Sequence, residues 1–171
     1  MTLSLAADSR LVADAAPLDT RLDVDFSATT GTNNRWMTGL LRPVETDDRA
    51  KARGLLSFDG DALASELAVF GAPVMRCEVS LDGDDGALFV YLETTDAYGT
   101  VRLLTQGVAR IRSGTIQVRL RPIAFELPPG SALRVSLAGA DADTFERIPS
   151  QGSRAILITA PCSIELPVVA R

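Results

Sequence analysis

Residues 75–92 read MRCEVSLDGDDGALFVYL, and this stretch decides the fold. Met75, Cys77, Val79 and Leu81 alternate with Arg76, Glu78 and Ser80. Successive side chains of a strand point to opposite faces, so this alternation describes a half-buried strand. Asp82-Gly83-Asp84-Asp85-Gly86 then supplies turn residues. Leu88-Phe89-Val90-Tyr91-Leu92 follows, apolar on both sides, as a more central strand requires.

The same grammar extends along the chain. Ile116, Val118 and Leu120 alternate with Gln117, Arg119 and Arg121; Leu133, Val135 and Leu137 alternate with Arg134 and Ser136; Ile164, Leu166 and Val168 repeat the pattern. Asp96-Ala97-Tyr98-Gly99 and Pro128-Pro129-Gly130 punctuate these runs. Many short strands separated by Gly, Pro and Asp turns indicate an all-β sandwich or jelly roll. Helical signal is thin: Asp61 to Leu67 (DALASEL) has room for about two turns, so at most one short helix is expected. The chain up to about Arg53 is rich in Asp, Thr, Ala and Arg with weak periodicity, and is read as an irregular N-terminal segment. It carries the only tryptophan, Trp36, in a turn-rich stretch. Long irregular segments in compact domains usually wrap a neighbour or carry function. No linker divides the chain, so residues 1–171 are expected to form one domain.

Composition narrows the function. At 171 residues, 46% hydrophobic, the chain can bury a real core. A net charge of −5 argues against nucleic acid or an anionic membrane as partner. There is no histidine, which removes the usual base of Ser-His-Asp and Cys-His hydrolases and the commonest nitrogen ligand for metals. No G-x-S-x-G elbow or G-x-x-x-x-G-K-[ST] phosphate loop occurs. Lys51 is the only lysine, so a Ser-Lys dyad has little to stand on. No catalytic residue, cofactor or metal site is therefore assigned. Asp82, Asp84 and Asp85 are open to calcium, but they lack the EF-hand pattern and fit a solvated β-turn better. Trp36 with Tyr91 or Tyr98 is open to sugar stacking; the plainer readings are core packing for Tyr91 and an interface anchor for Trp36. Cys77 lies on the apolar side of its strand and is read as a packing thiol; whether it pairs with Cys162 depends on geometry that sequence does not supply. The start, MTLSLAADSRLV, has neither the basic nor the apolar region of a secretory signal, and no stretch is long enough to span a bilayer. The expected location is the cytoplasm.

The order of motifs resembles the C-terminal, non-catalytic β-sandwich domain of X-Pro dipeptidyl-peptidases and their relatives, the cocaine esterase and glutaryl-acylase group of serine hydrolases. LSLAADSRLVADAAP is similar to the strand and turn that open that domain, and DFSATTGTNNRW to the T-x-G…RW segment that follows. GLLSFDGDALASELAVFGAPVM resembles the family's L-x-F run, and LFVYLETTDAYGTVRLLTQGVARI its d-G…l-x-x-G-x-x-R pattern, with Gly99, Gly107 and Arg110 in place. LRPIAFELPPGSALRVSLAGADADTFERIP and the closing SIELPVV complete the series. Where many members have Gly-His-Arg before the late strand, this chain has Gly130-Ser131-Ala132.

The resemblance implies an accessory module, folded as a galactose-binding-like jelly-roll β-sandwich, that is not catalytic alone and packs on an α/β-hydrolase domain, in cis or as a separate chain, helping to shape its substrate cleft. This chain carries no trace of that catalytic domain. Trp36, Met37, Leu40, Leu41 and Tyr98 are the candidate contact residues, for that interface or for a ligand. A stand-alone carbohydrate- or small-ligand-binding module and a homo-oligomerisation domain stay open as alternatives, because fold alone does not choose between them.

Overall fold

The computed structural model describes residues 1–30, 55–150 and 154–169. Their regular structure is entirely strand: β1 (Thr2–Ala6), β2 (Arg10–Val12), β3 (Asp19–Asp23), β4 (Leu56–Ala62), β5 (Leu67–Gly71), β6 (Val74–Leu81), β7 (Gly86–Thr95), β8 (Val101–Ile111), β9 (Gly114–Arg119), β10 (Ile123–Leu127), β11 (Ala132–Ala138) and β12 (Ala155–Glu165). The main sheet runs β8-β7-β11-β4-β2-β1-β12-β6-β9, with β3 also on β12, while β10 and β5 form a separate pair. Neighbours far apart in sequence, such as β1 and β12, give the crossovers of a jelly-roll sandwich.

The sheet curls until its two ends meet. Thr105 Oγ1 on β8 donates to the Arg121 carbonyl at 2.7 Å, just beyond β9, and the Arg121 amide donates to the Gln106 carbonyl at 3.1 Å. Gly107 sits at this seam. A Cβ there would stand 2.7 Å from the Arg119 carbonyl oxygen and 3.0 Å from the Leu120 Cα.

Alternation in the sequence maps onto burial. On β6, Met75, Cys77 and Val79 are buried and Arg76 and Ser80 exposed. β7 is covered on both faces. Leu88, Val90 and Leu92 join the main core with Val135, Leu137 and Ile158. Ala87, Phe89 and Tyr91 form a second apolar layer with Leu103 and Ala138 on the opposite face. Phe145 caps that layer, its ring edge-on to Phe89 with centroids 5.1 Å apart.

The structure differs from the sequence reading in two places. The N-terminal stretch read as irregular contains β1, β2 and β3. These strands have only 3–5 residues, too short to show a period, and they hold through ladders to β12 and to each other, with Leu5, Leu11 and Leu22 buried as anchors. The DALASEL stretch is not a helix: it is the end of β4, a turn, and the first residue of β5. Ala62 lies opposite Ala132, the Leu63 amide donates to the Ser131 carbonyl at 2.7 Å, and the Gly130 amide donates to the Leu63 carbonyl at 2.8 Å. Cross-strand bonds of this kind override a propensity that is only a weak bias.

Candidate functional site

Among the predicted contact residues, Trp36, Met37, Leu40 and Leu41 lie outside the described residues. Tyr98 is at the tip of the β7–β8 hairpin with 95% of its surface exposed. Asp96 builds that tip. Its carboxylate accepts from the amides of Tyr98 and Thr100, both at 2.9 Å, and Gly99 takes the positive φ of +82° that closes the turn. The Thr100 amide bond, then that of Tyr98, holds the Asp96 carboxyl below its ordinary value of 3.8. A depressed carboxylate favours the ordered turn above its unfolded pKa, and that contribution is lost as pH falls through the folded value. The Tyr98 and Thr100 amide resonances are thus expected to titrate with a midpoint below 3.8. A midpoint at or above 3.8, read by NMR, contradicts this arrangement.

Tyr91 does not serve a sugar platform. It is buried, and its hydroxyl donates to Asp141 Oδ2 at 3.3 Å. Thr30 donates to the same carboxylate through its amide at 3.0 Å and its hydroxyl at 2.5 Å, which ties the N-terminal segment to the outer face of the sheet. The acidic turn between β6 and β7 is likewise engaged: Arg110 Nε donates to Asp85 Oδ2 at 3.0 Å. Among the described residues no three His, Cys, Asp or Glu side chains gather where they could hold a metal ion.

Two further sets of polar contacts on the outer face are structural in geometry. Ser136 Oγ donates to Glu93 Oε2 at 2.6 Å and lies 2.8 Å from Ser57 Oγ. Glu93 and Ser136 are fully buried, so this serine–glutamate pair has no route to a substrate. Arg134 grips Asp59 bidentately across β11 and β4, at 2.5 and 2.9 Å.

Two recesses among the described residues are small or apolar. A recess of about 110 Å³ between Phe26, Phe89 and Phe145 is smaller than the ~300 Å³ at which ligand pockets begin. A groove of about 330 Å³ beside Met1, Leu3, Leu11 and Leu133 is apolar apart from its Asp61 edge.

What the surface does offer is an apolar patch that the sequence reading missed. Phe70 on β5 is 69% exposed and Phe125 on β10 is 41% exposed. Both line one groove of about 350 Å³ with Pro122, Ile123 and Ala124. Phe70 lies directly opposite Ala124, and Phe125 opposite Val69, so the two side chains leave opposite faces of the pair and Phe70 is the more exposed of them. The far edge of β5 is covered, with the Phe70 amide donating to the Pro167 carbonyl at 2.9 Å and Val69 bridged to Val168. Contiguous apolar surface is where interaction sites form, and this groove is apolar along its length.

Residues 4–161 match the family of X-Pro dipeptidyl-peptidase C-terminal non-catalytic domains. Proteins of Mycobacterium bovis and Mycobacterium tuberculosis, each named "Putative serine esterase", are 30% identical over 85% of this chain and 29% of their own length. The chain therefore spans less than a third of these relatives. Among solved structures, an aminopeptidase from a marine sediment archaeon, Thaumarchaeota archaeon, superposes with a TM-score of 0.81 at 16% identity, over 99% of this chain and 36% of that one. An α-amino acid ester hydrolase gives 0.76 at 17% identity, over 98% and 36%. A CocE/NonD family hydrolase from Staphylococcus aureus gives 0.69 at 12% identity, over 99% and 36%. At these identities the structures share the fold with this chain.

Proposed function

Since the chain belongs to the X-Pro dipeptidyl-peptidase C-terminal non-catalytic domain family, we propose that it is the accessory module of a serine hydrolase of the esterase, peptidase or acylase kind, a single domain that packs on an α/β-hydrolase catalytic domain and helps shape its cleft. The observation that carries the reading is one of proportion. The family match runs nearly end to end, yet the chain accounts for only 29% of the esterase-named relatives and 36% of the solved hydrolases. The fully buried Ser136–Glu93 pair and the absence of histidine support a non-catalytic role for the chain itself.

The Phe70–Phe125 groove is the best-supported docking face for that catalytic domain. Exposed aromatics are the residues that carry most of the energy of such contacts. Trp36, Met37, Leu40, Leu41 and Tyr98 remain further contact candidates on the sequence argument. The test uses the purified chain and a catalytic domain supplied in trans, with ester hydrolysis and binding as readouts. The chain alone is expected to be inactive. The Phe70→Asp variant should bind about tenfold or more weakly, while its own melting temperature stays close to that of the parent chain. Turnover by the pure chain overturns the accessory reading. Unchanged affinity of the variant moves the docking face elsewhere.

A further inference from the structure

Cys77 on β6 and Cys162 on β12 face each other directly in the antiparallel ladder, Cα opposite Cα. Residues in that relation point to the same side of the sheet, and their Cα atoms stand about 4.5 or 5.5 Å apart depending on the kind of pair. Both values fall inside the window of about 4.4–6.8 Å that a disulfide needs. Each thiol is buried, 1% and 3% exposed, and both belong to the main core. Both cysteines are free thiols here. The neighbouring Cys77 thiol, and then burial, raise the Cys162 pKa above the ordinary thiol value. Neither cysteine is used by the docking face, which lies on the separate β5–β10 pair.

We infer that Cys77 and Cys162 are a built site for covalent closure: a small disulfide oxidant converts them into a buried cross-strand bond that ties β12 to β6. The chemistry is thiol–disulfide exchange. One cysteine loses its proton and its sulfur attacks the oxidant, breaking the oxidant's S–S bond and releasing one thiol. The second cysteine then attacks the mixed disulfide, forms the Cys77–Cys162 bond and releases the second thiol. The pair gives up two electrons and two protons, and the oxidant is reduced to two thiols. The thiolate is the attacking species, so the raised Cys162 pKa and the burial make the folded thiols slow to react. Closure is fastest while the chain folds or opens locally. Once made, the bond is shielded from reductant by the same burial. In a reducing compartment the pair stays as two thiols.

The experiment is to refold the full chain, and in parallel to hold the native chain in sub-denaturing urea, with oxidised and reduced glutathione. The expected product is a monomer about 2 Da lighter with no thiol titratable after denaturation in the absence of reductant. Its melting temperature should rise by about 5 °C or more, because the bond closes a long loop in the unfolded chain, and dithiothreitol should reverse the rise. Cys77→Ser should lose the mass change and take up a single glutathione under the same conditions. Monomer that keeps both thiols in both arms, two glutathione adducts on one chain, or intermolecular dimers overturn the inference.

Discussion

Gly107→Ala is expected to destabilise the fold by about 3 kcal/mol, at the upper end of what overpacking costs. The added methyl would meet the Arg119 carbonyl oxygen at 2.7 Å and the Leu120 Cα at 3.0 Å, and both are backbone atoms. A flexible side chain could swing away from such a contact, but a strand held by its ladder cannot. β8 or the segment after β9 must shift, and the two bonds that close the sheet, Thr105 to Arg121 and Arg121 to Gln106, shift with it. A midpoint lower by roughly 6–12 °C is expected for a chain of this size. The control is Gly86→Ala. Its Cβ would find Ile111 and Leu81 at 3.8 Å, ordinary van der Waals contact. That substitution should fall within about 0.5 kcal/mol of neutral, on either side. Equal melting temperatures for the two variants would falsify the seam at Gly107.

The contrast between these two glycines shows what a linear reading reaches. Gly107 stands out in the sequence only as part of a family motif. Its physical role needs β8 to lie over the end of β9, a meeting of strands that are not hydrogen-bonded neighbours in the sheet order. By contrast, β6 and β11 are legible from their own residues, because Met75, Cys77 and Val79, like Leu133 and Val135, all fall on the face of the main core. β7 is legible for a related reason. Its odd residues are apolar because Phe145 and Ile148 cover them, just as the main core covers the even ones.

Where periodicity failed, an irregularity explains it. β8 is covered on both faces over Leu103–Gly107, with Leu103 in the outer apolar layer and Leu104 in the main core, and it carries a register shift opposite Leu92 and Glu93, so no clean alternation shows. β4, LSFDGDA, shows no clean alternation, since Asp59, Gly60 and Asp61 are turn residues by type. In place, Asp59 is a strand residue that answers Arg134, and β4 shifts register against β11 at this point. The docking face was beyond a local reading altogether. Phe70 and Phe125 are far apart in sequence and line one groove only because β5 pairs with β10. The same holds for Cys77 and Cys162, which share a site through the register of β6 on β12.

The outer face of the sheet supplies the second large effect, Ser136→Ala, with an expected cost of about 2 kcal/mol, since it removes a hydrogen bond to a buried carboxyl oxygen, one of the stronger kinds. Direction matters in this network. A hydroxyl has one hydrogen, and Ser136 gives its own to Glu93 Oε2 at 2.6 Å. The 2.8 Å contact between Ser57 and Ser136 must then run from Ser57 to Ser136. Ser57→Ala removes only a donor to a hydroxyl oxygen, and Ser57 is half-buried, so its cost should be about 1 kcal/mol. The two sites are coupled: with Ser136 already alanine, Ser57 has lost its acceptor, and the second substitution should cost less than it does alone. Chemical denaturation of the parent chain, the two single variants and the double variant measures all four corners of this cycle. Strict additivity, or a Ser57→Ala cost equal to that of Ser136→Ala, would refute a chain of bonds running from Ser57 through Ser136 to Glu93.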